Sequence, residues 1–331
     1  MISFIVTTYN LEDWLLRRCL NSIVAQGLAR DEYEIIVVDD ESAVSPRHVV
    51  DEFATRVDIT LYIQKHARQG AARNLALRYA KGEWVQFVDG DDYLFAGTIA
   101  HLLRRAEAEN LDLLIFDFRQ VYDELSVHND SGHNFQLSTF NFQFKVTTGD
   151  DYMFHHNLFG SCCMLMFRRS LLDDAQYGVP LRFTEGIYVE DEEFATKLVW
   201  RAQCMAKTNA IVYAYYQRAG STVHSRSHEH INELFRNYFV VLCRLMDFEK
   251  SVNALPHDGL TRKVRTLAVD VLRRSLREPD WRWRWDESTQ QLRSLGLYPL
   301  PVACYSLKYI IFCLLTKCVV GRHLLHWAEK H

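Results

Sequence analysis

Apolar runs typical of buried strands alternate with segments of helical spacing between residues 2 and 118. In the first helical segment, Leu16, Leu20 and Ile23 recur at i, i+4 and i+7, and we expect Asn10 to cap that helix. Strands that alternate with helices in this way predict an α/β fold, with a mostly parallel central sheet flanked by helices. The predicted strands are residues 2–7, 34–38, 59–64, 84–88 and 113–118.

The remainder of the chain divides into a continuation of this pattern and a helical end. Residues 124–145 are polar and are not assigned to any element. From residue 230 to residue 277 the apolar spacing is helical throughout. We therefore predict an α/β domain over residues 1–225 and a helical C-terminal region over residues 226–331.

Three carboxylates follow the predicted strand 84–88 within four residues, in the sequence Asp89-Gly90-Asp91-Asp92. Because carboxylates repel one another and are costly to desolvate, this cluster is poorly suited to stabilising a fold. A divalent cation with oxygen ligands, and a phosphate on its far side, would make the cluster favourable. The alternative is an ordinary acidic turn, since Asp and Gly are common turn residues. We favour the metal site.

Polar residues follow two other predicted strands. Tyr9 and Asn10 come after the first strand, and Asp39 and Asp40 come after the second. Since ligands bind at the carboxyl ends of strands in parallel sheets, we expect these residues to meet the acidic cluster at one edge. The convergence of three strand ends is stronger evidence for a ligand site than any one of them.

Four consecutive acidic residues, Glu190, Asp191, Glu192 and Glu193, begin another predicted helix. Acidic side chains in a first turn interact favourably with the helix dipole. That interaction explains two of them more readily than four. The group is therefore a second candidate for acid–base chemistry.

The charge of the chain is uneven. Of its 331 residues, 48% are hydrophobic, and the net charge of −4 argues against a nucleic-acid partner. From Thr261 to the end, however, thirteen basic residues stand against six acidic ones. This basic C-terminal quarter predicts either an acidic neighbour, such as membrane headgroups at which the protein would bind peripherally, or a merely solvated face.

Cysteine usage and the N-terminus both indicate the compartment. The eight cysteines form no C-x-x-C pair and no zinc-type spacing, which is typical of a reducing environment. The apolar residues that begin at Ile2 have no basic region before them and no cleavage site, so they predict a strand and not a signal peptide. We expect a cytoplasmic protein, with the inner face of the cell membrane as an alternative location.

An apolar stretch, residues 302–320, lies near the C-terminus. Lys308 and Lys317 interrupt it, and each would cost on the order of 3 kcal/mol near a bilayer centre, so we expect no membrane span. The two lysines are half a turn out of phase in one continuous helix, which argues against an amphipathic anchor. Burial against the domain and peripheral membrane contact both stay open. Residues 281–285, Trp-Arg-Trp-Arg-Trp, predict either an interfacial belt or a packed loop.

Five motifs taken together resemble the inverting family 2 glycosyltransferases, whose fold is of the GT-A type. Each motif is weak alone, but five in this order and spacing are specific. The resemblance covers residues 1–225, and departs from the family pattern at Thr7, Glu41 and Gln69 without losing a charged group. The motifs are Thr8-Tyr9-Asn10, Val38-Asp39-Asp40-Glu41-Ser42, Gly70-Ala71-Ala72-Arg73-Asn74, Asp89-Gly90-Asp91-Asp92 and Glu190-Asp191-Glu192-Glu193-Phe194.

The resemblance implies a binding site for a nucleotide-sugar donor, with a UDP-sugar as the expected donor. Tyr9 and Asp39 would hold the base, and Arg73 would reach the base or the diphosphate. Asp89 would lie near the ribose or the metal. The implied donor-binding residues are Thr8, Tyr9, Asn10, Asp39, Arg73, Asp89, Gly90 and Arg218.

The resemblance also implies a metal and a catalytic base. Mn²⁺ or Mg²⁺ would be bound directly by Asp91, with Asp89 and His224 as further ligands. Asp191 would be the catalytic base, and Glu190 would contact the acceptor or support the base. A loop that includes Arg218, Ser221 and His224 would lie over the diphosphate.

From these roles we expect an inverting, metal-dependent transferase that moves a sugar to a hydroxyl of a glycan or lipid-linked acceptor in cell-surface polysaccharide synthesis. One carboxylate base with no second carboxylate nucleophile is the arrangement for a single displacement. A catalytically silent member that binds a sugar nucleotide, or acts as a scaffold, is the alternative. A nucleotidyltransferase is a weaker one, because residues 7–13 lack the Gly-rich, basic loop that binds a triphosphate. An oligomeric state is left open.

Overall fold

The computed structural model describes residues 1–122, 145–173, 180–218, 227–252 and 259–330. The chain divides into a first unit, Met1–Thr148 with Gly160–Arg226, and a second unit, Gly149–Phe159 with Ser227–His331. The second unit thus includes residues 149–159, which the sequence pattern had placed in the first domain. The unassigned segment 124–145 lies almost wholly outside the described residues.

An eight-stranded mixed sheet forms the centre of the first unit. Its strands are β1 (Ile2–Thr8), β2 (Tyr33–Asp39), β3 (Ile59–Ile63), β4 (Trp84–Asp89), β5 (Tyr93–Leu94), β6 (Leu113–Val121), β7 (Leu165–Arg168) and β8 (Met205–Tyr216). They lie in the order β3-β2-β1-β4-β7-β6-β8-β5. The pairings of β1 with β2, β1 with β4, β2 with β3 and β6 with β8 are parallel, and the other three are antiparallel. The predicted α/β fold with a mostly parallel sheet is confirmed.

Helices pack against the sheet, and strands such as β1 and β2 that are buried on both faces are therefore continuous apolar runs. The helices of the first unit are α1 (Asp13–Val24), α2 (Arg47–Asp51), α3 (Arg68–Tyr79), α4 (Thr98–Ala108) and α6 (Glu190–Arg201). Every residue of β1 and β2 is buried, as expected for parallel strands that are covered on both faces. Leu16, Leu20 and Ile23 of α1 are buried, as their spacing predicted.

The start of α1 differs from the prediction. The helix begins at Asp13, so Asn10 does not cap it. Asn10 has a positive φ of 45°, a conformation that Asn tolerates better than most residues. Its side-chain oxygen accepts a hydrogen bond from the Ala43 N–H at 2.8 Å, which joins the ends of β1 and β2.

The second unit is helical. Its helices are α5 (Gly149–His155), α7 (His228–Ser251), α8 (Gly259–Arg277), α9 (Trp281–Ser294), α10 (Leu307–Leu315) and α11 (Val319–Lys330). The central helix is α8, which contacts α5, α7, α9 and α11. Among the described residues, no helix is both long enough and apolar enough to cross a membrane.

The alternating Trp and Arg residues at 281–285 are not a loop, because they form the start of α9. Trp285 is fully buried, whereas Trp283 is 54% exposed. Trp281 stacks on His326 of α11, with ring centroids 4.6 Å apart. Trp281 and Trp285, four residues apart, thus lie on the covered side of the helix, while Trp283 lies on an exposed side.

A buried carboxylate at the amino-terminal edge of the sheet joins three segments of the first unit. Glu34 of β2 is 5% exposed. Its Oε1 accepts hydrogen bonds from Ser3 Oγ at 2.6 Å, from the Lys81 N–H at 2.6 Å and from the Gly82 N–H at 3.2 Å. These donors lie on β1 or precede β4, so one side chain links β2 to its neighbour β1 and to the segment that leads into β4.

We predict that Glu34→Leu lowers the free energy of unfolding by about 2–4 kcal/mol, because buried donors lose their acceptor and each unsatisfied one costs about 1–3 kcal/mol. Glu34→Gln keeps an acceptor oxygen in place and should cost less than about 1 kcal/mol. Urea denaturation of both variants measures the difference. Equal losses for the two substitutions would show that this hydrogen-bond group is not what holds the strands together.

Candidate active site

The register of the parallel strands brings the predicted strand ends level with one another. Thr8 at the end of β1 pairs with Asp39 of β2, and Thr7 pairs with Asp89 of β4. The Gly90 N–H donates to the Thr7 carbonyl at 3.0 Å, and a Cβ at Gly90 would lie only 2.9 Å from that oxygen. The strand order reverses between β1 and β4, which is the position where open α/β sheets bind ligands.

Two stacked rings lie at the end of β1. Tyr9 is 46% exposed, and its ring stacks on that of His66 with centroids 4.5 Å apart. An exposed pair of flat rings beside Asp39 suits a nucleotide base. His66 was not among the predicted site residues, and nothing in its sequence neighbourhood distinguishes it.

Asp39 and Asn10 belong to one hydrogen-bond network. Asp39 is buried, and its Oδ1 accepts from the Ser42 N–H at 3.2 Å and from Ser42 Oγ at 2.5 Å. Ser42 Oγ in turn accepts from the Asn10 N–H at 2.7 Å. Thr8 is also buried, and its carbonyl accepts from the Asp40 N–H at 3.0 Å. Thr8 and Asn10 therefore shape the loops, and Tyr9 presents an exposed surface.

Asp40 holds the beginning of α3, the helix that supplies Arg73. Its carboxylate accepts from the backbone N–H groups of Ala67 at 3.0 Å and Arg68 at 2.9 Å. A carboxylate at the first turn of a helix satisfies otherwise unpaired donors and favours the helix dipole. Asp40, which follows β2, thereby positions α3.

One buried guanidinium joins three of the predicted carboxylates. Arg73 is 1% exposed. Its Nη2 donates to Asp89 Oδ1 at 3.0 Å, and its Nη1 donates to Glu190 Oε1 at 3.2 Å and to Asp191 Oδ1. The sequence had assigned Arg73 to the base or the diphosphate, but in the structure its guanidinium is directed at these carboxylates. We call this group the Arg73 cluster.

The two remaining carboxylates of the strand-end motif have different partners. Asp91 accepts from Arg218 Nε at 2.9 Å, and its side chain is 25% exposed. Asp92 is 1% exposed and accepts from the Tyr213 hydroxyl at 2.6 Å and from the Tyr216 N–H at 2.8 Å. Asp92 therefore fastens the motif to β8, while Asp91 is open to a ligand.

A second arginine supports the same loop from behind. Arg18 of α1 donates from Nη2 to the Asp91 carbonyl at 2.6 Å. Its guanidinium carbon lies 4.3 Å from the centre of the Tyr216 ring and 4.8 Å from that of Tyr93. The sequence contained no signal for this contact, because Arg18 lies on a helix face whose neighbours are set only by packing.

The chemistry of Asp91 fits a divalent cation. Burial, followed by the nearby charge of Asp89, raises the pKa of the Asp91 carboxyl, so its ionised form is poorly compensated until a further cation binds. Within the described ranges, no three His, Cys, Asp or Glu side chains converge on one ion position. Mg²⁺-type sites need no such set, since one or two carboxylates share the ion with substrate phosphates and water. The predicted ligand His224, with Ser221, lies outside the described residues.

Glu190 and Asp191 begin α6 directly after a strained residue. Val189 has a positive φ of 59°, which is costly for a β-branched side chain. The Asp191 side chain is 24% exposed, and Cys162 Sγ donates to its Oδ1 at 3.4 Å. Glu193 instead pairs with Lys197 at 2.5 Å and lies apart from the Arg73 cluster. Glu190 and Asp191 thus belong to the Arg73 cluster, whereas Glu193 forms an ion pair within the helix.

Burial dominates the titration of both cluster acids. Burial, followed by the charge of Asp191 and opposed by Arg73, raises the pKa of Glu190 to about 7. Burial also raises the pKa of Asp191, again against the charge of Arg73. A group of three acids around one cation is therefore stabilised when one of them holds a proton.

A cavity of about 800 Å³ lies at the opposite edge of the sheet, near the amino ends of β4 and β6. Its lining includes Glu83, Asp112 and Arg168. Arg168 pairs with Glu83, and Asp112 accepts from the Cys204 N–H at 2.8 Å. These charges are engaged with one another, and none of the predicted site residues lines this cavity.

We predict that Arg73→Met destabilises the first unit by about 3–5 kcal/mol near neutral pH, because it leaves buried carboxylates without their cation. Arg17→Met is the matched control, since Arg17 makes a bidentate pair with Glu52 that is exposed to solvent and worth little. Chemical denaturation of both variants makes the comparison. Similar stability of the two variants would contradict the central role of Arg73.

We predict a pH effect from Glu190. Its folded pKa of about 7 lies above its ordinary value of 4.5, so the folded state binds more protons between these values, and stability falls as pH rises through that window. Glu190→Gln should flatten the dependence of unfolding free energy on pH between about 4.5 and 7. Denaturation series at several pH values test this, and an unchanged slope in the variant would contradict the assignment.

Comparison with known proteins gives the family. Residues 3–175 match the family described as Glycosyl transferase family 2. That range contains Arg73, Asp89 and Asp91, while Glu190 and Asp191 follow it. The match covers more than half of the 331 residues.

Curated glycosyltransferases match parts of the chain. A poly(ribitol-phosphate) β-glucosyltransferase of Bacillus spizizenii is 38% identical over 96 residues, which is 28% of this chain and 15% of the relative. The putative glycosyltransferase EpsH of Bacillus subtilis is 27% identical over 226 residues, 67% of this chain and 62% of the relative. The chain thus spans less than two thirds of either protein.

Solved structures support the same fold. The crystal structure of residues 1–349 of TarS from Staphylococcus aureus, in complex with UDP-GlcNAc, has a TM-score of 0.58 and 21% identity. The similarity covers 99% of this chain and 88% of that one. At this identity the likeness shows the fold alone. The family match, together with this fold, shows that the chain belongs to glycosyl transferase family 2.

Proposed function

We propose that this chain is an inverting, metal-dependent glycosyltransferase that uses a nucleotide-sugar, with a UDP-sugar as the expected donor. Its acceptor would be a hydroxyl of a glycan or lipid-linked molecule in cell-surface polysaccharide synthesis. The Arg73 cluster is the main support, because it joins the proposed base Asp191 to Asp89 at the strand ends. The names of the relatives, which include a poly(ribitol-phosphate) glucosyltransferase, agree with a polymeric surface acceptor.

The donor would bind across the ends of β1, β2 and β4. The exposed Tyr9 ring, stacked on His66, offers a surface for the base, and Asp39 lies at the neighbouring strand end. Gly90 keeps the backbone open where a diphosphate would approach. The TarS structure with UDP-GlcNAc supports a uridine nucleotide.

Asp91 and Asp89 would hold Mn²⁺ or Mg²⁺, with His224 as a further proposed ligand. When bound, the ion would supply Lewis-acid stabilisation to the leaving diphosphate. Arg218 lies against Asp91 and adds a fixed positive charge at the same place. Its contact with Asp91 also keeps that carboxylate partly compensated in the free protein.

Asp191 would take the proton of the acceptor hydroxyl. The hydrogen bonds that the side chains of Arg73 and Cys162 donate to Asp191 are both made to Oδ1. The raised pKa brings the carboxylate closer to the operating pH, where a general base is most effective. Glu190 would support this base, since a proton on Glu190 removes repulsion between the two acids. One base and one displacement at the anomeric carbon give inversion.

A catalytically silent member that binds a sugar nucleotide is the second candidate. A silent protein would not need an Asp191 carboxylate that is 24% exposed and linked to Asp89 by ion pairs with the shared Arg73. A nucleotidyltransferase is less favoured, because the chain between β1 and α1 has no Gly-rich, basic loop.

We predict that Asp191→Asn lowers kcat for transfer by about 10³-fold or more while the Kd for the donor stays within a few-fold, because only the proton acceptor is lost. Asp91→Asn should weaken Mn²⁺-dependent donor binding itself. Asp173→Asn is the control, since Asp173 pairs with Arg182 at the opposite edge and should leave both properties unchanged. UDP release from a panel of UDP-sugars, with and without acceptor, measures turnover.

Two outcomes would overturn the proposal. Full transfer by Asp191→Asn would remove that residue from the role of base. Mn²⁺-dependent donor binding with no turnover on poly(ribitol phosphate), lipid-linked glycan or water would favour the silent alternative.

A further inference from the structure

Exposed apolar side chains are concentrated in the last two helices of the second unit. Eight of the nineteen large hydrophobic residues that are exposed in the described ranges lie between residues 302 and 327. Soluble proteins rarely expose apolar groups in such density without a partner for them. The eight residues are Val302, Leu307, Ile311, Leu314, Val319, Val320, Leu324 and Trp327.

The exposed residues follow helical spacing in α10. Leu307, Ile311 and Leu314 recur at i, i+4 and i+7 and are 72%, 46% and 53% exposed. The other side of this helix, with Phe312 and Cys313, is buried in the second unit. Helix α10 is therefore apolar on both sides, although only one side is covered by the part of the chain that the structure describes.

Helix α11 repeats this arrangement. Val320, Leu324 and Trp327 recur at i, i+4 and i+7 and are 71%, 54% and 63% exposed. Another side of the helix is held against α8, where Glu329 pairs with Arg273 and Arg277. The exposed apolar residues are thus on a helix whose position is fixed by ion pairs elsewhere on its surface.

The exposed charged side chains of residues 300–330 are all cationic. Lys308, Lys317 and Lys330 are exposed. Glu329 is the single acidic residue after residue 299, and its side chain is only 10% exposed within its two ion pairs. Residues 300–330 therefore combine exposed apolar side chains with cations, and their one acidic side chain is engaged in ion pairs.

A break between α10 and α11 changes the argument from the positions of Lys308 and Lys317, which assumed one continuous helix. Residues 302–320 are not one helix, because α10 ends at Leu315 and α11 begins at Val319. Lys308 belongs to α10, while Lys317 lies in the turn. Their phase difference in a continuous helix therefore does not decide whether each short helix can lie on a surface.

We propose that α10 and α11 are a peripheral membrane anchor, which lies in the plane of an anionic bilayer with its exposed apolar side chains among the acyl chains. Interfacial helices combine an apolar face with Lys and Arg in this way. The lysines would then contact anionic headgroups. A second copy of the chain fits less well, because pairing two such surfaces would bring cations together without a carboxylate between them.

Vesicle flotation of the full chain tests this proposal without any enzymatic reaction. We expect binding to vesicles that contain phosphatidylglycerol and little binding to pure phosphatidylcholine, with release as salt is raised. The double variant Lys308→Gln, Lys317→Gln should lose roughly five-fold in partition coefficient for each lysine. Leu314→Glu and Leu324→Glu should each lose about ten-fold or more.

Val240→Glu is the matched control, because Val240 is an exposed residue of α7 outside this surface and should bind as the parent does. Thermal unfolding of each variant checks its fold. If a Leu→Glu variant does not fold, quenching of Trp327 fluorescence by brominated lipid, with Trp327→Phe as its blank, tests insertion in the parent chain.

Three results would overturn the proposal. The first is failure of the parent chain to bind phosphatidylglycerol vesicles. The second is loss of binding in the lysine variant with none in the leucine variants, which would indicate a soluble polyanion as the ligand. The third is a dimer in sedimentation experiments that Leu324→Glu dissociates, which would assign the surface to a second copy.

Discussion

The buried guanidinium of Arg73 is the contact on which the site depends. A cation that is 1% exposed costs several kcal/mol to desolvate, and only paired carboxylates offset that cost. Its partners are Asp89 at the end of β4 and Glu190 and Asp191 in the first turn of α6. The two residues of α6 follow Asp89 by 101 and 102 positions in the sequence. The ion pairs therefore fix the distance between the strand-end carboxylate Asp89 and the helix that carries Asp191.

The surrounding structure positions this guanidinium through a chain of polar contacts. Asp40, which follows β2, accepts from the first N–H groups of α3 and so sets where that helix begins. Helix α3 then places Arg73 beneath the strand ends. Asp39 and Asp40 are adjacent in the loop after β2, which lies beside the stacked rings of Tyr9 and His66. This loop therefore also orients α3.

The acidic residues at this edge do different physical work. Asp92 is buried and braced by Tyr213, whereas Asp91 keeps an exposed carboxylate against Arg218. Burial raises the pKa values of Asp91, Glu190 and Asp191, because desolvation disfavours the ionised carboxylates. A bound cation or a captured proton would offset that cost, which is typical of functional sites.

The sequence alone predicted strands β1, β2, β3, β4 and β6, the edge at which polar residues follow them, and the family. Runs of apolar residues identify buried strands, and polar residues at their ends identify the edge, because both signals are local to each strand. Five short motifs then identified the family, as the match over residues 3–175 confirms. The same kind of local signal correctly predicted that Leu16, Leu20 and Ile23 of α1 are buried.

Which of those residues meet depends on the tertiary fold. Arg73 lies 117 residues from Glu190, and no periodicity reports a contact over that separation, which depends on strand register and helix packing. The stacking of His66 on Tyr9, the brace from Asp92 to Tyr213 and the support from Arg18 are of the same kind. The apolar composition of residues 302–320 likewise does not show that α10 ends at Leu315 and α11 begins at Val319. Nor does it show which side of each helix the protein covers.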